Sequence, residues 1–173
     1  MIQINENIYL KKLKKITPEY LEFINDPDTC RYLHAGRLKH SKKDLEKFLK
    51  KANSISPNHV FGLYKDEKHV GNLKLSQYQP MDNIIEIGWL IRKNNWGQGL
   101  GTMAGIALCN YAFKTLKVRK IELGVVAENE GAVHIYKKIG FKVEGIIRES
   151  FYLDGKYLNT VRMGMFKDEL VKK

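Results

Sequence analysis

Three glycines within five residues, Gly97, Gly99 and Gly101, stand immediately before an apolar run in "NNWGQGLGTMAGIALCNYAF", which begins at Asn94. Glycine weakens a helix and loses much entropy when a loop is fixed. Its use at a helix entrance points to backbone N–H groups that no side chain covers. The first N–H groups of a helix lack intrahelical partners and carry partial positive charge. Fed by a glycine-rich loop, they form a nest for phosphate oxygens. Trp96 admits two readings, as part of that loop or as a core anchor.

The flanking segments take their places around this joint. "NIIEIGWLIR" is a β-rich run that ends in the loop, and "GLGTMAGIALCNYAFKTL" has helical apolar spacing at Met103, Ile106, Ala107, Tyr111 and Phe113. Upstream, "IYLKKL" reads as a first strand. Thr17 and Pro18 open a helix that Pro27 closes, and Ser41 with Asp44 opens a second. "HVFGLY" and "HVGNLKLSQY" form a hairpin around "KDEK". Downstream come the strand "KIELGVV", the helix "NEGAVHIYKKIG" ended by Gly140, and a final hairpin turning at Asp154-Gly155. The predicted order is β-α-α-β-β-β-α-β-α-β-β. It implies an α+β or mixed α/β sheet with helices on its faces.

A length of 173 residues without linker or repeat suits one domain over residues 1–173. No apolar run approaches the ~18 residues of a membrane span, and the N-terminus lacks a signal-peptide pattern. A cytoplasmic location is expected. Cys30 and Cys109 match no metal motif and are expected as two free thiols. The formal charge of +11 favours anionic partners, or reflects only a lysine-rich surface.

"WGQGLGT" is not a Walker loop, since no Lys-Ser/Thr pair follows its last glycine, and its spacing is not GxGxxG. Taken with "ENEGAVHIYKKIGFKVEG", it resembles the GNAT superfamily of acetyl-CoA-dependent N-acetyltransferases over nearly the whole chain. The branch it is most similar to contains spermidine and ribosomal-protein N-terminal acetyltransferases. The resemblance implies a central mixed, mostly antiparallel sheet with helices on both faces. It also implies acetyl-CoA as cosubstrate and no metal.

By that resemblance, Trp96, Gly97, Gln98, Gly99, Leu100, Gly101 and Thr102 hold the pyrophosphate of coenzyme A. The family pattern usually has Gln or Arg where this chain has Trp96. Trp89, Leu90 and Ile91 run beside the pantetheine arm, whose amides can pair with an open strand edge. Asn129 sits where the family contacts that arm, and it also suits a helix cap. Ala132 and Lys138 fall within the same cofactor-binding helix. Tyr136 matches the tyrosine that protonates the departing thiolate, a group of pKa near ~8.5. From spacing alone, Tyr136 reads first as a tyrosine buried against the sheet, and it is the resemblance that implies the catalytic role.

An amine of pKa ~10.4 must lose a proton before it attacks a thioester. Glu86 occupies the position of a frequent family base, and a charge within an apolar strand needs a reason. A solvent-facing place on an alternating strand is the alternative. Glu144 and Glu149 are weaker candidates. A backbone N–H near Leu90 or Ile91 is expected to stabilise the oxyanion.

The acceptor is read from charge. "RYLHAGRLKHSKKDLEKFLKK" is basic where a polyamine site should be acidic, so the expected acceptor is a small anionic amine such as a nucleotide-linked amino sugar. Arg37, Lys39, Lys42 and Lys43 are the residues expected to hold it. The alternatives are a ribosomal-protein N-terminus, a polyamine such as spermidine, and, in a different class, a non-catalytic acetyl-CoA-binding module. Nucleic acid is expected only indirectly, through the ribosome, and homo-oligomerisation is left open.

Overall fold

The computed structural model describes residues 1–171. One eight-stranded sheet runs in the order β1-β2-β3-β4-β5-β6-β8-β7. The first strands are β1 (Ile2–Gln3) and β2 (Ile8–Lys12), so a short strand precedes the one read from "IYLKKL". Next come α1 (Pro18–Ile24), α2 (Lys42–Ala52), β3 (His59–Lys65), β4 (Lys68–Gln79) and β5 (Ile84–Ile91). The chain ends with α3 (Leu100–Lys114), β6 (Lys120–Val126), α4 (Glu130–Ile139), β7 (Lys142–Leu153) and β8 (Lys156–Phe166). Apart from that short strand, the order is the predicted one. Among the described residues no helix is long and apolar enough to cross a membrane.

Local chemistry explains the boundaries. The Thr17 hydroxyl accepts the Tyr20 N–H and caps α1, and Ser41 and Asp44 form a reciprocal capping box on α2. Asn129 caps α4, accepting from the Ala132 N–H at 3.4 Å. Gly140 ends that helix at φ +126°. The β3–β4 turn is Asp66-Glu67, at φ +48° and +59°, and the β7–β8 turn is Asp154-Gly155, at +49° and +82°. Left-handed turns of two residues match the twist of paired strands.

Helices α3 and α4 cover one face of the sheet. Leu63, Leu73, Leu75, Ile85, Ile121, Leu123 and Met163 meet Ala104, Leu108, Cys109 and Ala112 there. The buried stripe of α3 therefore differs from the predicted spacing. Met103, Ala107 and Tyr111 are only partly buried. The helix is wedged on several sides, so its apolar residues run round most of its circumference and blur the period. Cys30 and Cys109 are buried free thiols.

The opposite face is covered by α1 and α2 only over β2, β3 and β4. Leu13, Tyr20, Phe23, Cys30, Leu45, Leu49 and Val60 pack there. A polar brace crosses this layer. His69 Nε2 lies 2.9 Å from two acceptors, Gly71 O and Asn72 Oδ1, so it carries the proton. Nδ1 accepts from the Thr17 hydroxyl at 2.7 Å. The N-cap of α1 is thereby tied to β4 through a neutral imidazole whose pKa burial lowers.

Candidate functional site

Strands β5 and β6 are parallel neighbours for three residues only, with Ile84–Glu86 opposite Lys120–Glu122. Beyond Glu86 they separate. β5 continues against β4, and β6 continues against β8. The edge of β5 from Ile87 to Ile91 is consequently unpaired on the β6 side. Its donors can be assigned. The Arg92 N–H bonds Val70 O, so the two-residue alternation turns Leu90 toward β4 as well. Trp89 and Ile91 face the gap, and Ile91 O accepts the Trp96 indole N–H at 2.7 Å. Of the two oxyanion positions expected, Leu90 is thus committed to β4 and Ile91 faces the opening.

The glycine loop closes the outer end of the gap. Gly97 and Gly99 have φ of +73° and +71°, and a Cβ at either would meet nothing within 4 Å. Their role is conformational, and the space above them is open. Gly101 differs from the expectation. It lies inside α3, where a Cβ would stand 3.4 Å from Ile135 and 3.5 Å from the Trp89 indole. Gly105, one turn on, is tighter still, with a Cβ 2.8 Å from Trp89. These two glycines form a groove for Trp89, a packing role that sequence reasoning missed at Gly105. Leu100 is buried at the helix start and Thr102 is half-buried beside it. Gln98 is exposed and accepts from Lys65 Nζ at 2.7 Å. Trp96 remains 52% exposed and fastens the loop to β5, so it is no core anchor.

Tyr136 lies behind Trp89, their rings 4.6 Å apart and edge to face. It is buried at 6% exposure. Burial first, and the neighbouring Cys109 second, raise the pKa of its phenol. A phenol held protonated is a donor, the state required of a group that gives a proton to a leaving thiolate. Ala132 is half-buried on the same helix, whereas Lys138 is exposed in its last turn.

Glu86 stands where the strands part. Oε1 accepts from Gln77 Nε2 at 3.0 Å and Oε2 from Arg162 Nη1 at 3.2 Å. Arg162 Nη2 reaches Glu122 Oε2 at 3.3 Å. Lys120 Nζ then joins Glu122 at 2.9 Å to Glu144 at 2.8 Å. The result is a lateral ladder, Glu86–Arg162–Glu122–Lys120–Glu144, across β5, β6, β8 and β7. Its cations hold the Glu122 carboxyl below the usual carboxylate range, with the Lys120 hydrogen bond the largest cause. Gly164 clears room for Glu144, whose carboxylate a Cβ would strike. Glu149 takes no part. It is an exposed residue at φ +50° in an irregular stretch of β7.

The α1–α2 segment is pinned at both sides of this region. Arg92 pairs with Glu22, and Lys93 with Asp28 at 2.5 Å. Arg31 pairs with Asp154 of the β7–β8 turn at 2.5 Å. Arg37 donates to Tyr152 O at 2.9 Å and lies 4.5 Å over the Phe151 ring. The basic cluster therefore does not converge on a phosphate site. Arg37 clamps the hairpin, Lys42 sits 4.0 Å from Glu46, Lys39 borders a small cavity beside Asp26, and Lys43 is exposed in the first turn of α2. A cavity of about 560 Å³ between β1 and α3 contains none of the expected site residues.

Residues 8–142 match the model of the acetyltransferase (GNAT) domain. The chain belongs to the GNAT acetyltransferase family. It is 35% identical over 104 residues to the spermidine N(1)-acetyltransferase of Escherichia coli, covering 60% of this chain and 56% of that one. A putative ribosomal N-acetyltransferase of Bacillus subtilis is 30% identical over 62% of this chain and 59% of its own. The alignments thus span little more than half of these curated GNAT relatives. Among solved GNAT structures, a spermidine N-acetyltransferase from Vibrio cholerae in complex with CoA and spermine superposes with a TM-score of 0.84. Its identity is 24%, with 95% of this chain and 98% of that one covered. A ribosomal-protein acetyltransferase (RimL) in complex with CoA gives a TM-score of 0.88 at 15% identity, covering 97% and 98%. Both likenesses establish the GNAT fold alone.

Proposed function

We propose that this chain transfers an acetyl group from acetyl-CoA to a primary amine by direct attack, and that the acceptor is a cationic amine of the polyamine type. The observation that carries the transfer reading is the parting of β5 from β6 at Glu86, with a glycine-lined helix start at its outer end and Tyr136 behind Trp89 of the open edge. The donor set fits coenzyme A. Gly97 and Gly99 leave uncovered N–H groups for phosphate oxygens at the start of α3, and the Trp89 and Ile91 edge offers strand-like pairing to the amides of the arm. The bound thioester supplies an activated acetyl group. Glu86 takes the proton of the incoming ammonium, directly or through water. A Trp89 or Ile91 N–H stabilises negative charge developing on the acetyl oxygen. Tyr136 gives its proton to the thiolate. Holding two reactants in line supplies much of the acceleration.

The acceptor differs from the anionic amine expected from the basic stretch. Arg37 is engaged with the hairpin, and the ion-pair ladder that begins at Glu86 carries three carboxylates against two cations. The relatives that carry substrate names act on spermidine or on a ribosomal protein. A ribosomal-protein N-terminus is a second reading, favoured by the charge of +11, which suits docking on an RNA-rich particle.

The test is thiol release from acetyl-CoA with spermidine, a ribosomal-protein N-terminal peptide and an amino-sugar nucleotide. Spermidine is expected to win. Tyr136→Phe is expected to lower kcat by ~10²–10⁴-fold with little change in cofactor affinity, and Glu86→Gln to lower kcat/KM. Preference for the sugar nucleotide would restore the anionic reading. Binding without turnover of any amine would leave an acetyl-CoA-binding module instead.

A further inference from the structure

Direct acetyl transfer gives no task to Arg162, yet the sheet is shaped around it. Glu86 and Glu122 are direct partners in the parallel register of β5 and β6. Like charges facing each other across strands are destabilising and call for a counter-ion. Arg162 supplies one from β8. Its register partner on β6 is Gly124, and a Cβ there would stand 3.2 Å from Nη1. The glycine lets the guanidinium lie flat and reach both carboxylates. Its bonds, at 3.2 and 3.3 Å, are longer than those of Lys120, at 2.8 and 2.9 Å. Charge-assisted N–H···O bonds are commonly ~2.7–2.9 Å. Arg162 is thus a shared counter-charge between two acids, and neither holds it tightly.

We infer that Arg162 is a specificity-determining residue that sets how many positive charges the acceptor site takes. Its guanidinium occupies from within the Glu122 carboxylate, which would otherwise be offered to a second ammonium group of the acceptor. Glu86 is left for the amine that reacts. The inference rests on the reading of Glu86 as the acceptor-side base. Counted over the whole ladder, Glu86, Glu122, Glu144 and Lys120 carry two net negative charges without Arg162 and one with it, the charge for one ammonium. Groups in the same layer are Lys74 and Gln77 on β4, Lys120 on β6 and Glu144 on β7, and none of these bridges Glu86 to Glu122.

The experiment compares kcat/KM for 1,4-diaminobutane and butylamine at fixed acetyl-CoA and ionic strength. Arg162→Gln is expected to raise the diamine-to-monoamine ratio about 5–10-fold, through the KM of the diamine, the size of a unit charge at short range after surface screening. Arg162→Lys keeps the charge and is expected to hold the ratio within about 2-fold of wild type. Removing both partners, in Arg162→Gln/Glu122→Gln, is expected to return it toward wild type, which a merely structural role for Arg162 would not do. If Arg162→Gln does not fold, Glu122→Gln alone carries the opposite expectation, a lowered ratio. An unchanged ratio in Arg162→Gln overturns the inference, as does an equal rise in Arg162→Lys or a rise that persists in the double variant. Wild-type protein that acetylates neither amine overturns the reading of a polyamine-type acceptor on which the inference rests. Wild-type protein that acetylates both, with Glu86→Gln equally active, removes the base on which the inference rests.

Discussion

Two halves of one sheet treat the face opposite α3 differently. Over β2, β3 and β4, helices α1 and α2 cover it, and its polar groups are buried in a chain from Thr17 through His69 to Asn72. Over β6, β8 and β7, no helix among the described residues packs on it. Its charged groups lie side by side, with Lys120, Glu122 and Arg162 only partly exposed. The covered half gains from burial and bonds its polar groups internally, although Asn72 Nδ2 and Ser76 Oγ are buried without a partner among the described residues. The bare half keeps solvent at hand and neutralises its charges laterally. Glu86 stands on the boundary, on the strand shared by both.

The largest expected break falls in the covered half. Phe23 is 1% exposed, packed on Tyr20 and edge-on to His69. Phe23→Ala is expected to cost about 3–5 kcal/mol in urea unfolding, since α1 cannot collapse onto the cavity.

A matched pair of glycine substitutions sharpens the contrast. A Cβ at Gly62 would stand 2.9 Å from both the His69 Nε2 and the Tyr64 ring, and 3.3 Å from Leu13. Gly62→Ala is expected to cost about 1–3 kcal/mol through overpacking. A Cβ at Gly164 would strike the Glu144 carboxylate first, the far end of a partly exposed side chain. Gly164→Ala is expected to release that end of the ladder and to change stability by less than about 1 kcal/mol. Equal costs at the two sites would erase the distinction between the halves.

Acid should separate the halves as well. His69 has a lowered pKa in the folded state, with burial the leading cause. Stability tied to it is complete above the unfolded value of ~6.5 and falls as pH drops toward the folded value. Glu122 is also lowered, by its ladder partners, so its share is present above the unfolded carboxylate range and lost on acidification through the folded value. Asp26, Asp44 and Glu169 are lowered and add to the same acid limb. Stability followed against pH is expected to decline first just below ~6.5 and then more steeply in the carboxylate range. His69→Gln should flatten the first decline only, and Glu122→Gln should soften the second slightly.

These halves were not equally legible in the sequence. Caps, turns and the glycine joint depend on neighbours within a few residues, so Thr17, Ser41, Gly97, Gly99 and Asp154-Gly155 declare themselves locally. Strand order is a long-range matter. Lys120, Glu122 and Arg162 each look like the solvent-facing member of an alternating strand, and only the placement of β8 between β6 and β7 brings them together. Arg37 misled for the same reason. Its charge is plain in the sequence, but its engagement with Phe151 and Tyr152 depends on a hairpin more than 100 residues away. Gly105 was hidden because a helix-interior glycine reads as a weakness unless the indole it admits is known. Tyr136 was legible through its family motif, while its contact with Trp89 belongs to the folded chain.

The ladder also divides near from far. Lys and Arg outnumber Asp and Glu by 30 to 19, so a solute many ångströms away meets a positive body. The carboxylate excess of the ladder is felt only within roughly a Debye length, about 8 Å at physiological salt. A polyanion is drawn in from a distance, whereas a cation must cross a repulsive field before the local acids capture it. Raising salt is therefore expected to slow the association of a phosphate-bearing ligand and to speed that of an ammonium, so that one protein would give rate–salt slopes of opposite sign for its two reactants.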